Sequence, residues 1–295
     1  MTATKDFPAG AFTLRQPASH DAPFVFNSPH SGRFYPPRFM AMTRLDASAI
    51  RRSEDFFVEE LFGGVVGLGA PLLHAHFPRA YLDVNREPFE LDPKMFREQL
   101  PPQANVRSAR VAGGLGTVPK LVAEGQEIYA SRLPYAEAAG RIEDLYLPYH
   151  DQLAELLART WAAFGTAVLV DCHSMPGSVR VGDHGARPDF IVGDRFGAAA
   201  ASPLSEAVIG LLTGMGYTVA HNRPYAGGFI TEHYGRPADG VHAIQIEVNR
   251  GLYMNERTLQ KTAGFDPLAD DLTRFCATLM GLWTELIWPT PLAAE

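Results

Sequence analysis

The run Val168-Leu169-Val170-Asp171-Cys172-His173-Ser174-Met175-Pro176-Gly177 constrains the fold of this chain more than any other stretch. Consecutive aliphatic residues bounded by turn formers read as a strand buried on both faces. Pro176 and Gly177 end it. In open α/β sheets, chemistry sits at the carboxyl ends of the strands. Asp171 and His173, two residues apart, project to the same face there. The pair suits a metal-ligating imidazole with a carboxylate beside it. It equally suits a histidine satisfied by its neighbour, so the rest of the chain has to decide.

Strand and helix patterns alternate along the 295 residues, with no internal repeat and no low-complexity linker. Strands are expected over 23–29, 70–77, 189–194, 217–222 and 242–250, and helices over 53–62, about 133–164, 202–215 and 266–287. Ser53 and Ser202 read as N-caps, the latter followed by Pro203 at the first helical position. Pro148 should kink or divide its helix, and Gly165 should end it. The simplest architecture is one α/β domain over residues 1–295 with a central, mostly parallel sheet. Residues 87–131, rich in Pro and Gly, read as a long irregular excursion that walls a cleft. Its cluster Gly113-Gly114-Leu115-Gly116 lacks the strand and helix that flank a dinucleotide fingerprint.

Composition narrows the function. Hydrophobic residues make up 46% of the chain, enough for a substantial core, and charged residues 20%. The net charge of -7 and the lack of a basic run argue against a nucleic-acid partner. Two cysteines are too few for a disulfide framework and point to a reducing compartment. The first ten residues hold no apolar signal core, and no stretch approaches the roughly 20 apolar residues that span a bilayer. A cytoplasmic protein without a membrane partner is expected.

Several polar residues stand where a core would be. His30 follows an apolar strand and gives a second strand-end histidine. Asp55, with Glu54 next to it, could aim a carboxylate at a metal, although both also suit the first turn of a helix. His74 and His76 share a face but lie within a strand, and His150 falls on a helix face, so packing explains them better. Arg79, Asp83, Asn85 and Arg86 cluster within eight residues. Arginine matches a carboxylate in a bidentate fork, while an internal Arg–Asp pair would account for one of the two. After Asn222 at a strand end, the loop Arg223-Pro-Tyr225-Ala-Gly227-Gly228 can approach a ligand closely. Glu247 interrupts an apolar strand and is either paired with Arg250 or a general base. Together these are the parts of a mononuclear zinc amide hydrolase: about three protein ligands, a position for water and a carboxylate to take its proton.

The same residues also resemble a family. Ser28-Pro-His30-Ser-Gly32, Arg79 with Asp83-Val-Asn85-Arg86, Asp171-Cys-His173-Ser174 and Glu247-Val-Asn-Arg250-Gly-Leu-Tyr253-Met resemble, in order, the N-formylglutamate amidohydrolases. That family is similar to zinc carboxypeptidases and aspartoacylases. The resemblance implies a three-layer α/β/α sandwich with a mixed, mostly parallel sheet. It implies one zinc ion per chain on His30 and His173, with Glu247 as general base. Asn85 and Arg86 would bind the substrate carboxylate, and Arg79, Asn222, Tyr225 and Arg250 would complete the substrate site. The carboxypeptidases carry a glutamate three residues after the first histidine, where this chain has Arg33, so Asp55, with Glu54 as the alternative, stands in as the acidic ligand. The implied reaction is hydrolysis of N-formyl-L-glutamate, a small anionic N-acyl amino acid, to formate and L-glutamate, the last step of one route of histidine degradation. The rival readings are a carboxypeptidase or N-acyl-amino-acid hydrolase with another acyl group, and a non-catalytic small-molecule binding protein.

Overall fold

A computed structural model describes residues 6–7, 9–182 and 185–287. Most of the first ten residues lie outside this description, as do Asp183 and His184. The strands in chain order are β1 (Phe12–Arg15), β2 (Phe24–Ser28), β3 (Leu72–Ala75), β4 (Leu121–Ala123), β5 (Gln126–Glu127), β6 (Ala167–Met175), β7 (Phe190–Gly193), β8 (Val219–His221), β9 (Val241–Asn249), β10 (Met254–Asn255) and β11 (Gln260–Lys261). Seven of them form the central sheet in the order β1-β3-β2-β6-β9-β7-β8, with helices around it. β2 runs parallel to β6, β6 to β9 and β7 to β8, while β7 is antiparallel to β9, so the sheet is mixed. Among the described residues no helix is long and apolar enough to cross a membrane.

The chain divides into two compact units. One comprises Leu14–Ser28, Phe56–Leu73 and Glu155–Glu295. Every residue of β6 and of β9 is buried, the polar ones included. Side chains alternate across a strand. Val168, Val170 and Cys172 of β6 and Ile244, Ile246 and Val248 of β9 pack into one apolar core with Phe24, Phe26, Leu268, Leu272 and Phe275. The opposite face of the same strands carries Asp171, His173, Gln245 and Glu247. Asp171 pairs in register with Gln245, and His173 with Glu247. A strand pair that is apolar on one side therefore presents four polar side chains on the other. The helix Phe265–Gly281 follows the expected stripe, burying Leu268, Leu272, Phe275 and Leu279, and stops short of the expected end before a separate turn, Trp283–Ile287. Ser202 is not the N-cap of its helix. Ala201 holds that position and Ser202-Pro203 form the first turn.

The other unit comprises Met1–Thr13, Pro29–Asp55 and His74–Ala154. Its interior is aromatic: Phe39 meets Tyr81 and Tyr129 edge-on, and Phe77 meets Tyr149. Arg141 lies fully buried among them. Its guanidinium sits 3.8 Å from the centre of the Tyr81 ring. It donates to Tyr81 O at 2.8 Å, to the Tyr129 hydroxyl at 2.7 Å and to Glu137 Oε1 at 3.1 Å. The helical pattern over 133–164 forms Tyr135–Arg141, a π-turn at Ile142–Tyr146 and Leu147–Phe164. The π-turn ends two residues before Pro148, whose missing N–H cannot continue the ordinary ladder. Gly165 closes the helix in the left-handed region at φ 73°. The excursion over 87–131 is less irregular than its composition implies, holding the helix Ala109–Ala112 and the β4–β5 hairpin.

Candidate metal centre

His30 stands two residues past the end of β2 and is buried. Its Nε2 lies 2.7 Å from Asp83 Oδ1, and its Nδ1 lies 3.5 Å from Asp55 Oδ2. Asp55 is brought there by the backbone, since its N–H donates to His30 O at 3.0 Å. The expected helix start at Ser53 is not formed. The helix is Val58–Leu61, with Phe57 at its N-cap, so Asp55 lies before it and outside any helix. Glu54 points elsewhere: both of its oxygens accept from the Arg51 guanidinium at 2.9 Å, and Tyr35 also donates to it.

Asp83 is the hub of this polar cluster. It accepts from Arg79 Nη2 at 2.7 Å and from the Asn85 N–H at 2.9 Å, and Arg86 Nη2 lies 3.7 Å away. Burial alone would raise its carboxyl. The guanidiniums of Arg79 and Arg86 and the His30 ring overcome that and hold it well below the usual carboxylate range. Arg86 also donates from Nε to Leu115 O at 2.8 Å and from Nη1 to Asn85 O at 2.7 Å, so most of its fork is committed to the protein. His76 and His150 are held by packing contacts of their own, the first to Thr13 and Gly10 O, the second to Val84 O.

On the polar face of β6, His173 Nε2 lies 2.8 Å from Asp171 Oδ2. Asp171 Oδ1 in turn accepts from Asn27 Nδ2 at 2.7 Å. Glu247 accepts from Gln245 Nε2 at 2.8 Å. Arg250 is buried, with Nε donating to Ser174 Oγ at 3.0 Å. Asn222 takes up a left-handed backbone, and its amide exchanges hydrogen bonds with Asp194, holding the start of the loop that carries half-buried Tyr225.

His30, Asp55 and His173 are all buried, and one ligand atom from each lies within 4.8 Å of the others. This donor set fits a divalent metal. Each imidazole has Nε2 against a carboxylate, an arrangement that would fix the ring and leave Nδ1 to face a metal. Sequence reasoning paired Asp171 with His173 but missed that Asp83 does the same for His30. The signal was Asp83 within the Asp-x-Asn-Arg segment, 53 residues from its partner. Asn27 and Gln245 were also missed, because a lone amide on a strand carries no pattern.

The central sheet is mixed with helices around it, and the buried His30, Asp55 and His173 could hold a metal ion. Residues 22–254 match the family model described as N-formylglutamate amidohydrolase, and the chain belongs to that family. It is 31% identical over 240 residues to the N-formylglutamate deformylase of Pseudomonas aeruginosa, covering 80% of this chain and 83% of that protein. It is 31% identical over 205 residues to the Pseudomonas putida protein of the same name, covering 68% and 71%. The structure of an N-formylglutamate amidohydrolase from Ralstonia eutropha JMP134 superposes with a TM-score of 0.87 at 34% identity, covering 92% of this chain and 97% of that one. A gene product of Agrobacterium tumefaciens shares the fold at a TM-score of 0.58 and 20% identity, covering 91% and 96%.

Proposed function

We propose that this chain is a zinc-dependent amidohydrolase that cleaves N-formyl-L-glutamate to formate and L-glutamate, the last step of a histidine-degradation route, with residues 1–295 acting as one catalytic domain. The observation that carries this reading is the buried group of His30, Asp55 and His173, in a chain 31% identical to proteins named for that reaction. Two imidazoles and one carboxylate suit a single zinc ion with a position left open. When bound, the metal supplies a Lewis acid that polarises the formyl carbonyl and acidifies a water molecule.

The chain's own residues supply the rest. Glu247, in register beside His173, takes the proton of the attacking water and delivers it to the amine nitrogen as the C–N bond breaks. Asp83 and Asp171 keep the two imidazoles in one orientation. Arg79 and Arg86 give the Asp83 segment a positive edge that attracts the substrate's carboxylates, with Asn85 beside them. Arg250, Tyr225 and the loop pinned by Asn222 complete the substrate-binding set.

The test is the release of formate by the purified zinc-loaded protein. N-formyl-L-glutamate should be hydrolysed with kcat/KM at least about 100-fold above N-acetyl-L-glutamate or a glutamate-terminated dipeptide. Faster cleavage of either competitor, or binding of all three without cleavage, would overturn the reading.

A further inference from the structure

The amide of Gln245 has its direction set by the backbone. The Gly228 N–H donates to Gln245 Oε1 at 2.8 Å. A backbone N–H can only donate, so the amide oxygen faces Gly228 and the amide nitrogen faces away from it. That nitrogen donates to Glu247 Oε1 at 2.8 Å. Gln245 and Glu247 are both buried, so the two bonds act without competing solvent. The donor itself is held in place. The Arg195 N–H donates to Ala226 O at 2.8 Å. At Gly193, a Cβ would come within 2.7 Å of Ala226 C and Gly227 N, so a bare backbone is what lets the loop lie against β7. Gly228 then begins the helix Phe229–Tyr234 as its N-cap.

We propose that Gln245 is a positioning residue for Glu247: the Gly228 N–H orients the amide, and the amide orients the carboxylate that moves the proton. The inference rests on the reading of Glu247 as the base. The bond at Oε1 holds the carboxylate plane against rotation. A small misplacement of a proton-transfer group is enough to cost about 100-fold in rate.

Two variants separate this role from that of a simple loop staple. Gln245→Glu keeps an acceptor for Gly228 but loses the donor to Glu247. Gln245→Asn, one methylene shorter, cannot bridge both partners. Each is assayed as zinc-loaded protein on N-formyl-L-glutamate, with metal content and melting temperature measured on the same sample. The expected result for both is kcat lower by about 10- to 100-fold, with KM within about two-fold of the wild type. Adding Gln245→Glu to Glu247→Gln should then cause no further loss, because the amide acts only through that carboxylate. Wild-type kcat in folded, metal-loaded Gln245→Glu and Gln245→Asn, alongside a crippled Glu247→Gln, would overturn the inference and leave the base intact. So would an independent further loss in the double variant. Wild-type kcat in Glu247→Gln would instead remove the base and this inference with it.

Discussion

Each histidine of the candidate centre comes with its own carboxylate, and the two pairs are built differently. His173 and Asp171 are two residues apart on one strand, so the alternation of β6 alone brings them to 2.8 Å. This pairing was legible in the sequence because the strand period fixes it. His30 and Asp83 meet across 53 residues of chain at 2.7 Å, which no local period encodes. Asp55 was nominated on position alone, and what brings it to His30 is a backbone hydrogen bond that sequence does not display. The pairing of Asp171 gives a direct prediction. Asp171→Asn keeps the size of the side chain but removes the charge that fixes the His173 tautomer. Zinc affinity, measured by competition with a chromogenic chelator, should fall by roughly 10- to 100-fold. Unchanged affinity would show that Asp171 serves only the Asn27 contact.

Among the elements, β6 and β9 follow from local pattern, since Val168-Leu169-Val170 and the alternating Ile244, Ile246 and Val248 demand burial. The helix starts were harder to read. Ser53 and Ser202 each carry the chemistry of an N-cap, yet one helix begins at Val58 and the other takes Ala201 as its cap. Tertiary contacts decide such ends, because a cap contributes only about 1 kcal/mol. The segment Tyr135–Arg141 shows the opposite case, in which one residue ties an element to its surroundings. Arg141 is fully buried between Glu137, Tyr129 and Tyr81, and it binds the carbonyl two residues before Asp83. Arg141→Met would strand the Tyr81 carbonyl and the Tyr129 hydroxyl and leave Glu137 with Arg38 as its remaining cation. Unfolding free energy should drop by about 3–5 kcal/mol, read from denaturant titration. A loss below about 1 kcal/mol would mean that the aromatic packing alone holds this segment.

For the whole molecule, the motifs gave the family but not the sheet order, because β3 inserts between β1 and β2 and β9 inserts between β6 and β7. Those crossovers depend on which faces find partners, and single-strand patterns do not carry that information. The placement of β9 beside β6 sets Glu247 next to His173 and makes the proposed chemistry a property of the fold. The decisive measurement is a joint titration of metal and turnover on wild-type protein. The protein is stripped with a chelator, zinc is returned in steps, and bound metal and formate release from N-formyl-L-glutamate are followed together. Turnover should vanish in the stripped protein and rise linearly to a plateau at about one zinc per chain. Full turnover in metal-free protein, or a plateau reached without zinc bound, would contradict a hydrolase built on His30, Asp55 and His173.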